Sequence, residues 1–108
     1  MKIIQAINEA GMMIPDHNVP EALLYLWLAR VEEFVYVRIR LEDAEKEFTH
    51  EDDGVELSVP DPFSVIYPLY LQTMIYLYLG EYDRYNYLCT CFDRAWSDYG
   101  KHYVRTKT

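Results

Sequence analysis

The stretch from Pro62 to Tyr103 leaves this chain little freedom of fold. Its second part, Glu81 to Tyr103, places Tyr82, Tyr85, Cys89, Phe92, Trp96, Tyr99 and Tyr103 at steps of three and four residues, one stripe of an α-helix. Glu81, Asp83, Arg84, Asp93, Arg94, Asp98 and Lys101 fall between them as a solvent face. Its first part, Pro62 to Leu79, is apolar almost all round, the pattern of a helix enclosed by its neighbours. Gly80 separates the two, so the spacing predicts an antiparallel helical hairpin with a tight link. A helix apolar on every side needs covering, and the rest of the chain has to supply the cover.

The upstream sequence offers two helices for that purpose. From Lys2 to Ala10, residues Ile3, Ile4, Ile7 and Ala10 share one side, and Gly11 reads as the stop. Asn18 with Glu21 three residues on reads as a capping box, with Pro20 in the first turn. The helix that follows carries Leu23, Leu26, Trp27, Val31, Phe34, Val35 and Ile39 and ends near Arg40, with Glu32, Glu33, Arg38 and Arg40 facing out. Its last residues, Phe34 to Leu41, also alternate as a strand does. Val55, Leu57 and Val59 alternate too, and read as an extended edge or half of a small hairpin before Pro60, Asp61 and Pro62 interrupt regular structure. Asp61 reads as the N-cap of the third helix with Pro62 at its first position; Pro68 inside it predicts a kink or a late start. The expectation is one all-α domain over residues 1–108, about four helices built on the C-terminal hairpin, with an acidic loop and the short extended segment between helices two and three.

Charge and composition bound the function. The formal net charge is −8, and Glu42 to Glu56 alone contributes −7 through Glu42, Asp43, Glu45, Glu47, Glu51, Asp52, Asp53 and Glu56 against Lys46. No basic patch is present to displace counterions from phosphates, which argues against gripping nucleic acid. The last residues reverse the balance with Lys101, Arg105 and Lys107. Tyrosine occurs 11 times in 108 residues, which suits a core of large amphipathic side chains and equally a protein interface. The longest apolar run, Val65 to Leu79, contains Pro68, Gln72 and Thr73 and falls short of the about 20 residues needed to cross a bilayer. The start is too short and polar for a secretory signal, and the expectation is an intracellular, reduced chain.

Motifs for chemistry are sparse. Cys89 and Cys91 point to different sides of a helix and lack two further ligands at zinc spacing. Glu51, Asp53 and Gly54 match part of a calcium loop, but its first and last ligand positions fall on Thr49 and Pro60. His17, His50 and His102 are scattered outside any triad pattern. The expectation is no catalytic residue, no cofactor and no metal. The tyrosines as a base-stacking platform would need a basic groove, which Glu81, Asp83, Asp93 and Asp98 cancel.

The stretch Leu57-Ser-Val-Pro-Asp-Pro-Phe-Ser-Val-Ile-Tyr67, then Tyr70-Leu71, then Gly80-Glu-Tyr-Asp-Arg-Tyr-Asn86, resembles the head–tail connector (adaptor) proteins of tailed bacteriophages. So do the ending, with Phe92, Ala95, Tyr99, Tyr103 and Arg105-Thr106, and Leu26-Trp27-Leu28 with Val31-Glu32 and Val35-Tyr36 upstream. Pro68 departs from the uninterrupted helix of the family. The resemblance implies a non-enzymatic virion protein of the neck, made in the bacterial host cytoplasm. It implies a ring of about twelve copies under the portal that extends the DNA channel and docks the next neck or tail component. The terminal segment Tyr103, Val104, Arg105, Thr106, Lys107 and Thr108 then becomes the candidate portal hook. Tyr82, Tyr85, Tyr87, Trp96 and Tyr99 become the candidate subunit interface. An acidic surface of Glu42, Asp43, Glu45, Glu47, Glu51, Asp52 and Asp53 would repel passing double-stranded DNA and let it slide. The competing reading is a small helical module with a single protein partner and no ring; a third, a DNA mimic, would spread its acids over a whole face.

Overall fold

The computed structural model describes residues 1–107 and gives a small all-α domain. Four helices follow in order: α1 (Ile3–Met13), α2 (Glu21–Phe34), α3 (Ile66–Leu79) and α4 (Tyr82–Lys107). The helix apolar on every side is the one at the centre, because α3 packs against α1, α2 and α4 together. Its Ile66, Tyr67, Leu71, Gln72, Thr73 and Ile75 are all buried, which uses more than one face. Around it, Ile3, Ala6 and Ala10 of α1 and Leu24, Leu28, Val31 and Val35 of the α2 region complete the core.

The hairpin forms as its sequence indicates. Gly80 takes a left-handed conformation at φ 75°. The Gly80 amide donates to the Leu77 carbonyl at 3.1 Å and the Glu81 amide to the Tyr76 carbonyl at 2.9 Å, a Schellman end to α3. α4 then returns antiparallel, with Phe92 against Tyr70 and Tyr99 against Phe63. It runs through residues 104–107, so the basic tail is the last turn of a helix. Among the contacts of that turn, the Tyr103 ring lies 5.8 Å from the Arg40 guanidinium and 5.3 Å from the Lys107 ammonium, and the Thr106 hydroxyl donates to the Tyr103 carbonyl at 3.1 Å. Arg105 and Lys107 also sit where a helix dipole favours cations. Thr108 lies outside the described residues.

Several boundaries move, each for a local reason. α1 continues through Gly11 to Met13, because the Ile14 amide donates to the Ala10 carbonyl at 3.0 Å and the Ile14 side chain is buried. Asn18 is not the N-cap of α2; it and Asp16 are left-handed, at φ 57° and 58°, a conformation their side chains tolerate, and Pro20 takes the cap position. α2 widens at its end into a π-helical turn, Val35–Ile39, closed by the Arg40 amide on the Val35 carbonyl at 3.1 Å. There the strand-like alternation of Val35, Val37 and Ile39 is accommodated without a strand. Asp61 does not cap α3: the Ser64 hydroxyl donates to its carboxylate, a short 3₁₀ turn (Phe63–Val65) follows, and α3 starts at Ile66. Pro68 therefore falls in the first turn, among amides with no intrahelical partner, and the late start of the two alternatives is the one found.

After a turn at Asp53 and Gly54, residues 55–57 are extended but form only an isolated bridge, Lys2 with Glu56. Their main role is to cap α1. The amides of Ile3 and Ile4 donate to the carbonyls of Val55 and Asp53 at 3.0 and 3.1 Å, and the Leu57 amide returns to the Met1 carbonyl at 2.9 Å. Substitution Gly80→Ala places no atom within 4 Å of a neighbour, so its cost is that of the backbone alone. Urea unfolding should show a loss of about 1 kcal/mol with an unchanged slope.

Candidate functional site

The most elaborate arrangement of polar side chains is internal and centres on Glu32. The sequence assigns Glu32 to the solvent face, yet it is 4% exposed. Its position four residues after Leu28 and three before Val35 is what places it on the buried stripe, a signal present in the sequence. Glu32 Oε1 accepts from the Tyr67 hydroxyl at 2.6 Å and the Ser58 hydroxyl at 2.8 Å, and Oε2 accepts from the Ser58 amide at 2.8 Å. The Val59 amide donates to the Tyr67 hydroxyl at 3.0 Å. Arg40, also expected outside, is half-buried and donates from Nη2 to the Ser58 carbonyl at 3.2 Å. The segment from Ser58 to Tyr67 is thus clamped by this network.

The network is a latch between α2, the extended segment and α3. Its bonds run entirely between these three parts of the chain. The histidines are dispersed: His17 Nδ1 accepts from the Val19 amide at 2.9 Å, His102 stacks on Phe63, and His50 lies exposed in the 3₁₀ turn His50–Asp52. Cys89 and Cys91 are free thiols, both half-buried. No group of three His, Cys, Asp or Glu side chains among the described residues could hold a metal, and no described helix is long and apolar enough to cross a membrane.

The acidic segment is more ordered than its composition indicates. The Lys46 amide donates to Glu33 Oε1 at 2.9 Å, the Lys46 ammonium lies 4.4 Å from the Tyr36 ring, and Phe48 packs on the core. Glu42, Asp43, Glu45, Glu47 and Glu51 are exposed. Asp52 and Asp53 serve the fold: Asp52 accepts from the Thr49 amide at 2.8 Å and Asp53 from the Tyr25 hydroxyl at 2.5 Å. The acidic surface is therefore five carboxylates wide. Beside it a concavity of about 970 Å³ runs between α2 and residues 45–49, lined by Ala22, Leu26, Arg30 and Glu33 among others, with Arg30 paired to Glu33.

The candidate interface residues divide. Tyr99 is 1% exposed and belongs to the core, so it is unavailable to a partner. Tyr85 and Trp96 are half-buried along the α3–α4 seam, while Tyr82 and Tyr87 stand in solvent. Apolar side chains stay exposed toward both ends of α3. At the hairpin turn they are Leu77, Tyr78, Leu79 and Tyr82; toward the other end, Val37 and Leu41 lie close in sequence to Arg40 and Val104 follows Tyr103, whose ring is 5.8 Å from that guanidinium. Leu41 is the extreme case, 83% exposed and left-handed at φ 57°. Within the proposed hook, Val104 is exposed, whereas Tyr103 is covered by its two cations.

Burial, and then the Glu32 charge, push the Tyr67 hydroxyl far above the usual tyrosine range. Burial, and then Asp53, push Tyr25 up to about 12. A raised folded-state value means stability that is whole below the unfolded tyrosine value of about 10 and is lost as pH rises beyond it. Stability should therefore hold from neutral pH to about 10 and then fall. Tyr67→Phe should cost about 1–3 kcal/mol at pH 7, because it orphans the Val59 amide and one bond to Glu32. It should also flatten the alkaline fall. Urea titrations of both proteins across this range check it; parallel alkaline slopes would contradict it.

Compared with family models, with curated proteins and with solved structures, the chain matches none.

Proposed function

We propose that this chain is a head–tail adaptor of a tailed phage, a structural subunit of the virion neck that docks beneath the portal ring and continues the DNA channel. The observation that carries the reading is that large apolar side chains are left exposed both at the hairpin turn (Leu77, Tyr78, Leu79, Tyr82) and toward the other end of α3 (Val37, Leu41, Val104). A protein that sits between two partners, and beside copies of itself, needs more than one surface of that kind; a module with a single partner needs one. The resemblance of Leu57 to Tyr67 and Gly80 to Asn86 to phage connectors supplies the identity of the assembly. The reading is of a structural role and not a catalytic one.

In this role the last turns of α4, with Lys101, Val104 and Lys107 exposed, present a basic and apolar end to the portal. They do so as a formed helix and not as a loose hook. The hairpin turn faces the next neck or tail component, or a neighbouring copy. Glu42, Asp43, Glu45, Glu47 and Glu51 form the surface that would repel DNA in the lumen, so that passing duplex is not bound.

Mixing the purified chain with the portal ring of the same genome and weighing the product by native mass spectrometry tests this. The expected product is a portal carrying about a dozen copies. A bare portal beside free chain would overturn the reading in favour of a helical module with one partner.

A further inference from the structure

A groove of about 260 Å³ lies between the end of α2 and the middle of α4, lined by Phe34, Phe92 and Trp96 with Arg38 and Asp93 at its rim. It is smaller than the about 300–1,000 Å³ of small-molecule sites, and suits one or two protein side chains. Phe34 is 42% exposed there, although its place on an apolar helix stripe would lead it inward. The same molecule carries a projection of matching character. At the α3–α4 turn, where Gly80 reverses the chain, Leu79 and Tyr82 are exposed on either side of it, with Glu81 between them and Asp83 and Arg84 following.

We infer that the α3–α4 turn of one copy seats in the α2–α4 groove of the next. The rim charges favour this pairing: Glu81 meets Arg38 and Arg84 meets Asp93, while Leu79 and Tyr82 enter between Phe34 and Trp96. A copy cannot fill its own groove, because Phe92 and Trp96 lie roughly 15–20 Å along α4 from Tyr82. The contact therefore joins unlike surfaces of successive copies, and such a contact propagates to a closed ring or an open filament. This rests on the self-association included in the neck reading and assigns it a surface.

Sedimentation velocity over a range of concentrations tests it. The whole chain should form species larger than a dimer. Leu79→Glu and Phe34→Glu alter exposed side chains, so each should keep its helical circular dichroism while remaining monomeric. Mixed together, they retain one intact turn and one intact groove, and should give a 1:1 dimer and nothing larger. Glu81→Arg should weaken association by roughly fivefold, the worth of an exposed ion pair, and Arg38→Glu in the same chain should restore it. A chain monomeric at every concentration, a mixture that stays monomeric, or association indifferent to these changes would overturn the contact. A monomeric chain that still binds the portal overturns this contact alone. A self-associating chain that ignores the portal overturns the neck reading alone.

Discussion

A carboxylate inside a core this small has to be fully satisfied, and the arrangement of this molecule follows from how Glu32 is satisfied. Burying an ionised group without partners costs several kcal/mol, more than a domain of this size can spare. Glu32 meets three donors, two from Ser58 and one from Tyr67. Those donors belong to different parts of the chain, so the charge determines where the extended segment lies between α2 and α3. The consequence reaches α1. Once Ser58 is fixed, Leu57 is held to Met1, and the carbonyls of Val55 and Asp53 are presented to the first amides of α1. A helix with no side-chain hydrogen bond from its own N-cap residue is thereby closed by backbone from fifty residues away.

This ordering explains what was legible in the sequence. The hairpin could be read because its signals are local: a three-four stripe, a glycine suited to a left-handed end, and a helix too apolar to lie on a surface. Pro68 was readable to within two alternatives because the rule about its missing amide allows both a kink and a late start. Glu32 and Arg40 go to solvent in the sequence reading because a charged residue is assigned there by default; for Glu32 the Leu28–Val35 stripe argues the other way, while for Arg40 only its partner Ser58, 18 residues on, does. Tyr99 looked like any other member of the aromatic stripe; what distinguishes it is Phe63, delivered by the 3₁₀ turn before α3. Asn18 failed as a cap because the residue types that cap helices also tolerate left-handed backbone.

The surface follows a different logic from the core. The acidic segment is fixed from below by Lys46, Phe48 and Asp53 and shows five carboxylates above. Lys46, Tyr36, Arg40, Tyr103 and Lys107 alternate cation and ring across one end of the molecule, joining that segment to the last turn of α4. The exposed apolar side chains toward both ends of α3, and the groove beside α4, are the parts of the chain that its own fold leaves without cover.

Native-state hydrogen exchange on Glu32→Gln tests the central dependence most directly. Glutamine keeps one side-chain oxygen and replaces the other with an NH2 donor, so the three bonds from the Ser58 amide, the Ser58 hydroxyl and the Tyr67 hydroxyl can no longer all be accepted, and the latch is weakened with almost no change in volume. The account expects the amides of Ile3, Ile4, Ser58 and Val59 to lose protection together, while Gly80 and Glu81 at the hairpin end change only as far as global stability does. Loss at Ser58 and Val59 with full protection kept at Ile3 and Ile4 would contradict it, because α1 would then be closed independently of the buried carboxylate.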